Sequence, residues 1–320
     1  MDNPIAVSKI VWNECFGLKE SEKALVIADM DKLEIAHPLW TAGQRLCREC
    51  MMMVMEKRSI DGEEPPEAVA KAMLGADAIV IPTTFSLTHT RAAQLAIKKG
   101  ARIATMPNIT RGMFMNNLAL DYGKLKGDGE KIIKKLKSAS GNVRITTAAG
   151  TDISLNIRGR KMQNCCGLVR KRGELTNLPD GEVAIAPVEG KTEGKIVVDL
   201  TCAPDKETKF GRIGRVHKSF EIVVKNGQAV DIGNPVLERW LNSVKNGTNV
   251  AELGIGTNWK AKAIGNVLLD EKIRGTAHIA FGTSKALGGK VQSDVHLDCI
   301  FNKPTIKAGK KTVMRNGKLI

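Results

Sequence analysis

The sequence predicts an α/β N-terminal domain with a parallel sheet, followed by a β-rich α+β domain that binds metal. Three observations support this fold class. The N-terminal part alternates short apolar runs with helical patterns, and after Gly141 the pattern changes to short strands. Two Asn-Gly pairs, at residues 226–227 and 316–317, each separate two strand-like runs and predict hairpins. We expect domains at residues 1–140 and 141–320.

In the N-terminal domain, apolar runs predict buried strands at residues 23–28, 78–82 and 102–106. Helical spacing predicts helices at residues 38–57, 67–74 and 90–99, which gives right-handed βαβ units and a parallel sheet. No GxGxxG motif follows the first strand, which argues against a dinucleotide site. Cys47 and Cys50 form a CxxC pair in the first predicted helix, without the second pair that a zinc site needs.

A Lys-rich helix at residues 121–140 is expected to lead into the second domain. There the alternation predicts strands at residues 143–147, 153–157, 182–186 and 195–199, and hairpins at 220–232 and 312–320. Residues 235–244 and 258–269 are predicted helices. Every candidate metal ligand falls in this domain.

The composition is that of a soluble globular protein, with 42% hydrophobic and 26% charged residues in 320. No apolar run reaches the ~18 residues that a membrane span requires, and the N-terminus lacks the features of a signal peptide. Seven cysteines, two of them adjacent, argue against a secreted disulfide framework. We therefore expect a cytoplasmic protein without a membrane partner.

The net charge of +15 raises the possibility of a nucleic-acid partner. Aromatic residues make up only 4% of the chain, with one Tyr, which leaves little material for base stacking. The basic residues are also spread along the sequence. These features argue against specific nucleic-acid binding and leave only weak attraction to acidic partners.

The most informative pair of residues is His296 and Asp298. Side chains two apart in a strand point to the same face, so an imidazole and a carboxylate would lie side by side. Such a pair either handles protons or forms half of a metal site.

Further candidate ligands lie upstream of this pair. Glu182 follows a Pro-Asp-Gly turn, and Glu252 lies in an apolar run, where a carboxylate is costly unless it is paired or bound to metal. Asp270 and Glu271 precede a basic turn, and His278 lies in an apolar strand. Singly, these residues also fit surface acids, a salt bridge or a core histidine. Together, carboxylates and two imidazoles suit divalent ions, and six ligands suit two ions with a bridging carboxylate and a bridging water.

The second domain resembles the thermophilic metalloaminopeptidases, the family of aminopeptidases T and S. The resemblance rests on motifs in the same order: residues 177–182 (NLPDGE), 252–254 (ELG), 270–271 (DE), 278–282 (HIAFG) and 296–298 (HLD). It implies a cytoplasmic, dimeric enzyme that releases N-terminal amino acids from peptides with two ions of Zn, Co or Mn. The implied ligands are Glu182, Glu252, Glu271, His278, His296 and Asp298.

The sequence departs from this family at two positions. The spacing from Glu271 to His278 is two residues longer, and Lys285 stands where the family has a catalytic Tyr. A Tyr hydroxyl donates to a developing oxyanion, and the Lys285 ammonium is the candidate replacement. In this interpretation Glu182, if it is not a ligand, serves as general base.

Two other functions remain open. The dihydroxypyridine dioxygenases resemble relatives of the aminopeptidases and hold a single Fe(II) with two His and one Asp. Here His278, His296 and Asp298 would form that set, with a small aromatic substrate in place of a peptide. The third interpretation is a metal-binding or RNA-associated protein without activity, supported only by the basic surface.

Overall fold

The computed structural model describes residues 3–138, 141–202 and 208–320. The chain divides into two compact units: Met1–Gly123 with Cys166–Asp180, and Lys124–Cys165 with Gly181–Ile320. Residue 140 is the last residue of the expected first domain and of the predicted linker helix, and it lies outside the described residues. The first unit also contains the later segment Cys166–Asp180, so the division into units differs from one that has a single boundary in the chain.

Within the described residues the helices are α1 (Pro4–Ile10), α2 (Leu33–Gly43), α3 (Glu67–Met73), α4 (Arg91–Lys99), α5 (Arg111–Asn117), α6 (Tyr122–Lys137), α7 (Pro235–Asn242) and α8 (Val267–Asp270). A π-helical segment, Val11–Phe16, continues α1, and short 3-10 helices span Met30–Lys32 and Lys285–Leu287. None of the described helices combines the length and the apolar character needed to span a lipid bilayer.

The strands of the described residues are β1 (Lys23–Asp29), β2 (Glu49–Met55), β3 (Ala78–Ile81), β4 (Arg102–Thr105), β5 (Asn142–Thr146), β6 (Asp152–Asn156), β7 (Met162–Cys165), β8 (Leu175–Asn177), β9 (Glu182–Ile185), β10 (Thr192–Val198), β11 (Thr201–Cys202), β12 (Gly214–Arg215), β13 (Phe220–Lys225), β14 (Gln228–Ile232), β15 (Val250–Gly256), β16 (Thr276–Gly282), β17 (His296–Asn302), β18 (Thr305–Ala308), β19 (Lys311–Arg315) and β20 (Lys318–Leu319). They form three sheets.

The first unit contains a five-stranded parallel sheet in the order β2-β1-β3-β4-β8. Strand β3 is fully buried and β1 is buried from Ala24 onward, because both consist mainly of apolar residues. Thr90 caps α4 by accepting a hydrogen bond from the Ala93 N–H, and Gly100 ends this helix with φ 104°. The predicted parallel sheet is present, and β8 joins it from residues 175–177, a run too short to stand out in the sequence.

The predicted helix at residues 38–57 is wrong in its second half. Helix α2 ends at Gly43, and the Met-rich run from Glu49 pairs in parallel with β1 as the edge strand β2. A side chain at Gly43 would lie 2.5 Å from Cys50 Sγ, so glycine is needed where the chain turns back. Cys47 and Cys50 are free thiols outside any helix.

The second unit contains two antiparallel sheets. One has eight strands, in the order β14-β13-β10-β6-β5-β18-β19-β20, and the other seven, β12-β11-β17-β16-β15-β9-β7. Apolar side chains from both sheets form one core, including Ile145, Ile196, Leu253 and Ile279. Both Asn-Gly hairpins are present, as β13–β14 and β19–β20.

The predicted helix at residues 258–269 is reduced to its last turn. Only α8 is helical, and Asn266 caps it by accepting a hydrogen bond from the Leu268 N–H. The Asn258 side chain instead accepts hydrogen bonds from the N–H groups of Lys260 and Ala261, which holds the preceding residues as a loop.

Candidate metal centre

Four adjacent strands of the seven-stranded sheet place five of the six predicted ligands on one face, and Glu271 follows helix α8. In the register, Asp298 on β17 is opposite Ala280 on β16, which is opposite Glu252 on β15. His278 is two residues from Ala280 and shares its face, and Glu182 begins β9. The alternate residues of the same strands, such as Leu253 and Ile279, belong to the apolar core. The strand alternation thus separates the polar cluster from the core.

His278 lies at the centre of this cluster and is 1% exposed. Its Nε2 is 3.4 Å from Glu252 Oε1 and 3.6 Å from both Glu182 Oε2 and Asp298 Oδ1. Three carboxylate oxygens therefore converge on one imidazole nitrogen. Among the described residues, Nδ1 of His278 has no hydrogen-bond partner, so no neighbouring carbonyl fixes its tautomer.

His296 is oriented from outside the cluster. Its Nδ1 is 2.8 Å from the Thr283 carbonyl oxygen and donates to it in the neutral ring. That hydrogen bond directs Nε2 at Glu252 Oε2 at 3.0 Å and at Asp298 Oδ1 at 3.6 Å, where it donates to the carboxylates when protonated and can bind a metal ion when it is not. A carbonyl behind one ring nitrogen and carboxylates before the other is the arrangement of a metal-ligating histidine.

Gly254 makes room for the His278 imidazole. The two residues are paired between β15 and β16. A Cβ at Gly254 would lie 1.9 Å from Cε1 and 2.1 Å from Nε2 of the His278 ring. The Glu-Leu-Gly sequence at residues 252–254 therefore supplies one carboxylate and, two residues later on the same face, the space for a ring.

Lys272 is a member of the cluster that the sequence interpretation missed, because it was assigned to a basic turn. Its side chain is 3% exposed, and Nζ lies 2.5 Å from Glu182 Oε1 and 2.6 Å from Glu271 Oε1. The signal available in the sequence was its position, directly after two acids and before a buried strand. Glu271 is brought into the cluster despite its longer spacing from His278.

Asp270 has a supporting role. It is fully buried and accepts hydrogen bonds from Thr201 Oγ1 at 2.6 Å and from the N–H groups of Ile264 and Gly265 at 2.9 Å. Burial raises the pKa of Asp270, and these hydrogen bonds oppose that rise. The residue fixes the loop before α8, and so the start of the segment that carries Glu271.

The charges of the cluster act strongly on one another. Burial alone would raise the pKa of Glu252, but its hydrogen bonds with His278 and His296 lower it to about 2. Burial would likewise lower the pKa of His278, but Glu252 and the neighbouring carboxylates raise it to about 9. The pKa of Glu271 lies well above 4.5 because of burial, although Lys272 opposes the rise. Without a metal, protons on the imidazoles balance the carboxylates.

The donor set fits a divalent metal. Three groups of ligand atoms, each within 4.8 Å, are formed by Glu182, Glu252 and His278, by Glu252, His296 and Asp298, and by Glu271, His278 and Asp298. At metal–ligand distances of about 2.0–2.2 Å, ligand atoms lie roughly 3.0–3.6 Å apart, as these carboxylate and imidazole atoms do. Each of the six predicted ligands belongs to at least one of these three groups.

The last predicted site residue, Lys285, lies on the 3-10 helix Lys285–Leu287. Its side chain is exposed, and no contact with the cluster is found among the described residues. Its predicted catalytic role stays a prediction, as does that of Glu182 as general base.

Two solved structures share this fold over nearly the whole chain. The 2,5-dihydroxypyridine dioxygenase from Pseudomonas putida KT2440 superposes with a TM-score of 0.83 at 16% identity, covering 99% of this chain and 96% of that chain. Wild-type AmpT from Thermus thermophilus gives a TM-score of 0.73 at 15% identity, covering 99% of both chains. No curated protein matches the sequence.

The match to a protein-family model covers almost the same part of the chain. A family model described as NicX, 2,5-dihydroxypyridine 5,6-dioxygenase, matches residues 17–320 and so includes every residue of the cluster. The aminopeptidase resemblance is therefore one of two relationships, supported by a structural neighbour but not by the family model. The chain belongs to the 2,5-dihydroxypyridine 5,6-dioxygenase family.

Proposed function

We propose that this protein is a mononuclear Fe(II) dioxygenase that opens the ring of a dihydroxylated nitrogen heterocycle of the 2,5-dihydroxypyridine type. The observation that carries the proposal is the placement of His278, His296 and Asp298 on one sheet face, in a chain whose family model has this activity. Two imidazoles and one carboxylate are the ligand set of non-haem Fe(II) oxygenases. A bound ferrous ion supplies the redox chemistry by which O2 reacts with an aromatic ring.

The chain contributes orientation and charge to this chemistry. Nε2 of His278 and Nε2 of His296 lie each 3.6 Å from Asp298 Oδ1, so this carboxylate stands between the two rings. The Thr283 carbonyl holds the proton of His296 on Nδ1. Glu252, hydrogen-bonded to both imidazoles, keeps their nitrogens directed at the same point.

The centre is accessible from one side. His296 is 33% and Asp298 14% exposed, whereas the side chains of Glu182, Glu252 and His278 are at most 8% exposed. A small planar substrate would therefore approach past His296. The carboxylates of Glu182 and Glu252 on the far side are buried from solvent.

A dinuclear aminopeptidase is the second candidate, and one observation favours it. The two oxygens of Glu252 face different imidazoles, Oε1 toward His278 and Oε2 toward His296, as in a carboxylate that bridges two ions. In that case Zn, Co or Mn would be the metals, Glu182 the general base and Lys285 the oxyanion donor. Lys272 argues against a second ion, because its ammonium group already forms ion pairs with Glu182 and Glu271.

One assay separates the two candidates. Protein freed of metal is loaded with Fe(II) under argon, then given 2,5-dihydroxypyridine and air, and O2 consumption is followed beside loss of the substrate. Parallel samples with Zn, Co or Mn receive aminoacyl substrates. We expect oxygen uptake in the iron sample alone and its loss in His296→Ala. Aminoacyl hydrolysis without oxygen uptake would exclude the dioxygenase.

A further inference from the structure

We propose that the Lys272 ammonium takes the place of a second divalent ion and so limits this centre to one metal. Four carboxylates and two imidazoles converge here, which is more than one ion needs. The surplus carboxylates can be balanced by a second cation, and in this chain a lysine side chain provides it.

The contacts of Lys272 are those of a bridging cation. Nζ lies 2.5 Å from Glu182 Oε1 and 2.6 Å from Glu271 Oε1, so it links two carboxylates. These distances overlap the range of about 2.0–2.6 Å at which divalent ions bind carboxylate oxygens. A divalent ion bound by these two oxygens would occupy the space that the ammonium group fills. The ion and the ammonium group therefore exclude each other.

The position of Lys272 is fixed by its backbone. Its carbonyl accepts a hydrogen bond from the Asn258 N–H at 2.8 Å, and its N–H donates to the Leu269 carbonyl at 3.1 Å. The whole residue is 2% exposed. The backbone hydrogen bonds of Lys272 and its burial thus hold the ammonium group in place within the cluster.

Charge balance supports the same conclusion. Glu182, Glu252, Glu271 and Asp298 carry four negative charges when ionised, and Lys272 offsets one of them. The remaining acceptors beside both imidazoles, Glu252 and Asp298, suffice for one divalent ion. Replacing Lys272 by a neutral side chain leaves Glu182 and Glu271 without their bridging cation, which is unfavourable in a buried site unless another cation enters.

The inference rests on the proposed function only in requiring that the cluster bind a divalent metal. It does not depend on iron, on oxygen chemistry or on the substrate. A failure of ring cleavage would therefore leave it standing.

The test is a count of bound Mn²⁺ by equilibrium dialysis on the full-length metal-free protein. We compare wild type with Lys272→Met and with Lys262→Met, which replaces an exposed lysine of the same unit. We expect about one ion per chain in wild type and Lys262→Met and about two in Lys272→Met. The electron paramagnetic resonance of Lys272→Met should then show two coupled Mn²⁺ ions.

Lys272→Gln, produced in medium containing Mn²⁺ and analysed for the ions it retains, covers the case in which the Met variant does not fold without metal. Two ions in wild type would overturn the inference. So would a single ion in both Lys272 variants. Absence of binding to wild type at saturating Mn²⁺ would remove the metal centre itself, and with it the proposed function.

Discussion

The close approach of Gly254 to His278 gives the sharpest prediction for a single substitution. The φ angle of Gly254 is outside the left-handed region, so an alanine fits the backbone and only the space for its methyl group is at issue. In Gly254→Ala, the new Cβ would lie 2.1 Å from His278 Nε2. An ordinary contact needs about 3.4 Å or more, and Cε1 of the ring would lie only 1.9 Å from the new Cβ, so the imidazole must move by roughly 1.5 Å.

A metal ligand tolerates far less displacement. Ligand distances in real sites stay within about 0.2 Å of their usual values, so the His278 bond to the metal is lost. We expect metal affinity to fall at least about 100-fold, since perturbing the groups that merely support a ligand already costs 10–100-fold. Overpacking should also lower the unfolding free energy by about 1–3 kcal/mol.

The assay is metal titration with circular dichroism on the same samples. Gly127→Ala is the matched control, because its Cβ meets nothing within 4 Å and Gly127 lies inside α6. That variant should bind metal like wild type and gain up to about 1 kcal/mol of stability. Metal affinity within threefold of wild type in Gly254→Ala would refute the assignment of His278 as a ligand.

The remaining predictions address the other parts of the site. Asp298→Ala should abolish oxygen uptake while the circular dichroism spectrum is kept; retained activity would remove Asp298 from the ligand set. Asp270→Ala leaves three donors, two of them in buried hydrogen bonds, without their acceptor and should lower the unfolding free energy by about 3 kcal/mol in urea titrations. Because the folded state raises the pKa of His278 from 6.5 to about 9, its contribution to the stability of the metal-free protein is complete below pH 6.5 and is lost as the pH rises toward 9; a flat melting temperature over this range would contradict the charge coupling. Chelation should lower the melting temperature, and metal at about 100 times Kd should restore roughly 2.7 kcal/mol. If the protein is an aminopeptidase after all, Lys285→Ala should lower kcat more than it raises KM.

Five of the six predicted ligands lie on regular strands, which is why the sequence pattern could single them out. Period-two alternation placed His296 with Asp298, and an acid in an apolar run marked Glu252. Six residues from five segments converge because the sheet order brings β17, β16, β15 and β9 side by side. That order is a property of long-range pairing, which no local pattern contains.

The parts that escaped prediction depend on tertiary context. Lys272 follows two acids and precedes a glycine-containing turn, a pattern typical of a solvated loop, and only its pairing with Glu182, 90 residues away, reveals its burial. The Met-rich run at β2 consists of residues that favour a helix. It forms a strand because it pairs with the edge of β1. The choice between dioxygenase and aminopeptidase likewise turned on the family match and on Lys272, rather than on the ligand motifs that both candidates share.

The central claim is that this chain uses one iron to insert O2 into an aromatic ring, and isotope labelling tests it most directly. Fe(II)-loaded protein is allowed to turn over 2,5-dihydroxypyridine under ¹⁸O2, and the ring-opened product is analysed by mass spectrometry. We predict that the product carries both atoms of one O2 molecule and that Asp298→Ala forms none. A ring-opened product whose oxygen comes from water, or an unreacted substrate with fully loaded protein, would contradict the claim.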